Sequence, residues 1–76
     1  MKSDREILTE IYHDKQKEFM LSKIQNWLYT REYANPQKIG KQQAEDGMAA
    51  YQKNIKHVED QLVAIKSFAE SLGLEI

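Results

Sequence analysis

The chain has 76 residues, 11 Lys and Arg against 12 Asp and Glu, a formal net charge of −1 and no cysteine. This length allows one domain, whose small core supplies only about 3–5 kcal/mol, so a staple or a partner is expected. The staple is not a disulfide or a thiolate zinc site, and near-zero charge argues against a protein that coats nucleic acid.

The first element opens at Ser3-x-x-Glu6, a capping box placed directly before Ile7-Leu8. Apolar residues follow at Ile11, Tyr12, Phe19, Met20, Leu21, Ile24, Trp27 and Leu28, interrupted by the polar stretch His13–Glu18. Nothing in that stretch breaks a helix, so one helix is predicted from about 3 to 33. The competing reading breaks it within residues 13–18 and makes a three-helix monomer. No apolar run approaches the ~20 residues of a membrane span, and the N-terminus lacks a signal-peptide pattern. A cytoplasmic protein is the expectation.

A turn is predicted over about 34–41. Asn35-Pro36 ends the first helix, because the residue before proline is pushed out of the helical region. The pair also offers an N-cap and first position for a second helix. Asp46 is an alternative cap, and Gly40 and Gly47 each weaken a helix passing through them.

The second helix is predicted over about 42–72 by a sustained seam. Ala44, Met48, Tyr51, Ile55, Val58, Leu62, Ile65, Ala69 and Leu72 alternate in steps of four and three, and all nine are apolar or aromatic. That is the period of coiled-coil-like packing. Gly73 supplies a left-handed cap residue, with Leu74 at the apolar position of a Schellman motif. The fold class is therefore all-α, an antiparallel helical hairpin forming a single domain over 1–76. The broad apolar face of helix 1 would stay wet in a lone hairpin, which points to a homodimeric four-helix bundle. In outline this architecture resembles small helical-hairpin dimers such as the Rop-type RNA-binding bundle, with no shared motif.

Little here supports catalysis. The serines lack an elbow or Gly-rich context, and no glycine pattern cradles phosphate. We read the chain as non-enzymatic and without a cofactor. The one metal-like signal is Glu10-x-x-His13, with His57 as a third ligand if the hairpin turns near residues 36–38. Two solvated histidines are the simpler reading.

Residues 23–41 carry a net charge of +3 and residues 42–76 a net charge of −3. The basic segment holds Trp27, Tyr29, Arg31 and Tyr33, a composition typical of protein-binding hot spots. These four are the protein-binding candidates, and the expected partner is an unidentified protein. Met20, Ile24, Tyr51, Leu62 and Phe68 are the candidates for the dimer interface. A nucleic-acid-binding regulator using Lys23, Arg31, Lys38 and Lys41 is the alternative.

Overall fold

The computed structural model describes all 76 residues, most of them in two helices, α1 (Asp4–Ala34) and α2 (Lys41–Ser71). They pack antiparallel along their whole length as a hairpin of 50 × 20 × 13 Å. Helix α1 starts where the capping box places it, with Ser3 Oγ accepting from the Glu6 N–H at 3.2 Å. It runs unbroken through His13–Glu18, where Lys15 and Glu18 pair at 3.0 Å one turn apart. The three-helix alternative is thereby excluded: polar residues of good helix propensity keep the backbone helical even where they supply no apolar contact.

The turn differs in detail from expectation. Asn35 does not cap α2; its N–H bonds to Arg31 O at 3.0 Å and closes α1. Residues 35–40 stay irregular, and α2 begins after Gly40, whose φ of +85° suits a residue without a Cβ. Asp46 lies inside α2 and accepts from Gln42 at 3.1 Å. The other end follows the sequence closely. Gly73 takes φ +72°, its N–H bonds to Glu70 O, and the Leu74 N–H bonds to Ala69 O, both at 2.9 Å. Those two bonds define a Schellman motif.

The seam of α2 faces α1. Ala44, Val58 and Ala69 are fully buried and Met48, Tyr51, Ile55, Leu62 and Ile65 half-buried, while Leu72 is half exposed at the open end. Opposite them α1 presents Leu8, Tyr12, Lys15, Phe19, Ser22, Asn26, Tyr29 and Tyr33, again in steps of four and three. Three of these eight are polar. Asn54 Nδ2 donates to Ser22 Oγ at 2.6 Å across the seam, and Asn26 Oδ1 and Gln61 Oε1 are buried without a partner. Only four residues are fully buried, one of them Ser22. The hairpin is thinly cored.

Candidate functional site

Because α1 spends its inward positions on that mixed seam, its large apolar residues point the other way. Met20, Leu21, Ile24, Trp27 and Leu28 are each between 45% and 61% exposed. On a helix of 3.6 residues per turn they form one contiguous strip over two and a half turns, directed away from α2. Isolated exposed hydrophobics are ordinary, whereas these five adjoin one another on a single face. Arg31 continues it, its guanidinium 4.9 Å from the Trp27 ring.

At the turn end, Glu32 reaches across the loop, and its Oε1 accepts the N–H groups of Gln37, Lys38 and Ile39 at 2.5–3.0 Å. Consecutive amides of this kind form an anion-binding concavity, here filled by the chain's own carboxylate. The Lys38 amide, then those of Ile39 and Gln37, holds the Glu32 carboxyl below the ordinary carboxylate range. The loop is thus pinned against α1, and an open groove of about 650 Å³ lies between Leu28, Arg31 and Ile39.

Of the four protein-binding candidates, Trp27 and Arg31 stand on the outer strip. Tyr29 stacks on Tyr51 between the helices, with ring centroids 5.7 Å apart, and Tyr33 is half-buried beneath Lys41. The dimer candidates divide similarly. Met20 and Ile24 lie on the strip, whereas Tyr51 and Leu62 are half-buried in the seam. Phe68 is exposed at the open end, beside Ile7, Leu8 and Leu72 around a shallow groove.

The basic candidates do not form one tract. Lys23 lies over Phe19 at 4.5 Å, Arg31 over Trp27, and Lys41 over Tyr33 at 4.9 Å, while Lys38 projects from the loop. Three of the four cations thus rest on aromatic faces that base stacking would require. For the metal candidates, Ser22–Asn54 and Tyr12–Lys66 set the helix register. His57 then lies level with Phe19 and Met20, roughly 10 Å along the axis from His13. Both histidines are exposed, Glu10 pairs with Lys2, and no group of three or more His, Asp or Glu gathers as a metal site.

The sequence alone did not single out Leu21 and Leu28 on the outer strip, the Glu32 clamp, or the Ser22–Asn54 pair. A signal for the first was present: the four-three frame running from Leu8 to Tyr33 leaves precisely spaced bulky residues on the opposite side. No helix is long and apolar enough to cross a membrane. Comparison with family models, with curated proteins and with solved structures finds no match.

Proposed function

We propose that this chain is a non-enzymatic protein-interaction module that works by docking another protein chain on the outer face of α1, in the manner of a regulator, inhibitor or assembly adaptor. The observation that carries this reading is the outward strip of Met20, Leu21, Ile24, Trp27 and Leu28. Such a strip is the complement of an apolar helix face, and its Trp–Arg end has the residue types that dominate binding energy at protein interfaces. The rim is suitably polar, with Lys17, Lys23 and Arg31 around it.

The test compares the wild-type chain with Leu21→Lys and Trp27→Ala. A bound protein chain, together with a blue-shifted Trp27 emission, is expected for wild type. Leu21→Lys should abolish the complex, and Trp27→Ala should weaken it by about tenfold or more, as expected for a hot-spot truncation. Binding unchanged in both variants would move the site elsewhere. Capture of RNA or DNA, lost in Lys38→Gln, would replace this reading with the nucleic-acid one.

A further inference from the structure

We infer that the occupant of the outer face of α1 is an acidic amphipathic helix of a partner protein, laid along residues 17–31 with its carboxylates over Lys17, Lys23 and Arg31. This rests on the reading of the strip as a protein-docking surface and names the chemistry of its partner.

Charge gives the first argument. Lys17, Ile24 and Arg31 stand seven residues apart on one line of the outer face, with Met20, Leu21, Trp27 and Leu28 between them. Lys23 flanks the strip on the side of Met20 and Trp27. All three cations are exposed, and none is paired with a carboxylate. Lys23 rests on Phe19 and Arg31 on Trp27, which holds their charge at the edge of the apolar surface. The one carboxylate between Lys15 and Arg31 is Glu18, already bound to Lys15 at 3.0 Å. A surface that is apolar at its centre and cationic at its rim is complemented by an apolar stripe edged with Asp or Glu.

The turn end extends the same pattern. The strip runs through Leu28 into the open groove, whose charged lining is Arg31, Glu32 and Lys38. Glu32 spends its Oε1 on the amides of Gln37, Lys38 and Ile39. The two cations are left to face whatever enters.

Extent separates a helix from other anionic partners. Towards the N-terminus the outer face changes sign, with Glu6, Glu10 and Asp14 all exposed. A bilayer or a nucleic-acid duplex lying along α1 would meet those carboxylates as well as the cations. A helix confined to residues 17–31, about 21 Å or four turns, does not. A second copy fits poorly, because a two-fold axis beside Ile24 sets Lys17 against Arg31 and each Lys23 near its own counterpart. Area is consistent with a cover of this kind. The hairpin exposes 5803 Å², whereas a compact monomer of 8.9 kDa exposes about 4,800 Å².

Trp27 is the only tryptophan, so its emission reports cover of the strip. The probes are three synthetic helical peptides of about four turns, free of tryptophan, sharing one leucine stripe edged with Glu, Gln or Lys. The Glu peptide should blue-shift Trp27 and bind about tenfold more tightly than the Gln peptide, the sum of three rim charge pairs. The Lys peptide should bind more weakly than either, and high salt should shrink the differences. Lys17→Glu combined with Arg31→Glu should reverse the order. Both residues lie outside the hairpin seam, so circular dichroism of that variant should stay helical.

Equal affinity for all three peptides, abolished by Leu21→Lys, would overturn the acidic partner and leave the docking surface standing. So would a blue shift produced by phosphatidylglycerol vesicles or duplex RNA but not by the Glu peptide. A dimer mass in light scattering that Leu21→Lys abolishes would return the face to a second copy and overturn this inference. Binding of the Glu peptide that is indifferent to Leu21→Lys would overturn both the inference and the docking surface.

Discussion

Glu32 and Gly47 each settle a local arrangement that residue type alone does not announce. The Glu32 clamp is a carboxylate whose folded value is depressed by three backbone donors. Its contribution is therefore complete above the ordinary carboxylate value of about 4.3 and lost as pH falls through the lower folded value. In an NMR titration the amides of Gln37, Lys38 and Ile39 should move together, with a midpoint below the ordinary glutamate value. Glu32→Ala should speed amide exchange at those three positions while α1 and α2 remain helical. Gly47 acts through space, not through its backbone angle. A Cβ there would come within 2.5 Å of the Tyr29 ring, which is held by its stack on Tyr51. Gly47→Ala should gain about 1 kcal/mol of helix propensity yet lose about 1–3 kcal/mol to overpacking. Net destabilisation in urea is expected, and the sign should reverse in a Tyr29→Ala background, where the ring is gone.

Between the elements, the weight falls on an uneven pair of faces. Helix α2 brings an unbroken apolar seam, but α1 answers it with Lys15, Ser22 and Asn26 among its aromatics. The Ser22–Asn54 bond lies inside that seam, with Ser22 only 4% exposed. A single buried polar pair costs some stability and sets register, because any slip leaves both groups unpaired. Ser22→Ala should therefore destabilise the hairpin by about 1–3 kcal/mol by orphaning the Asn54 amide. Ser22→Ala combined with Asn54→Leu should recover most of that loss in chemical denaturation, and a double variant as unstable as Ser22→Ala would contradict this account. The fate of α1 explains what was legible beforehand. Its start, its continuity and its end before Asn35-Pro36 follow from local chemistry. Which of its faces turns inward does not, because both carry bulky apolar residues and the choice depends on pairing with α2.

At the scale of the molecule, a long hairpin of 50 × 20 × 13 Å has too much surface for its mass, and its stability is expected to depend on association. If the outer strip is where that association occurs, the melting temperature should rise with the concentration of the Glu-edged peptide. Leu21→Lys should remove that dependence. A melting temperature unmoved by the peptide in wild type would show that one hairpin stands alone.

The nine-residue seam, the Ser3 cap and the Gly73 stop were sufficient to determine two long helices, since helical period and end chemistry act over a few neighbouring residues. The same local reasoning left Tyr29, Tyr51 and Leu62 as candidates for contacts outside the hairpin. Only the packed structure decided that these three serve the hairpin itself while Leu21, Ile24 and Leu28 face outward. The physical reason is that a helix buries a face by matching a partner's surface, and α2 accepted the side of α1 that carries Ser22 for Asn54 and Tyr29 for Gly47.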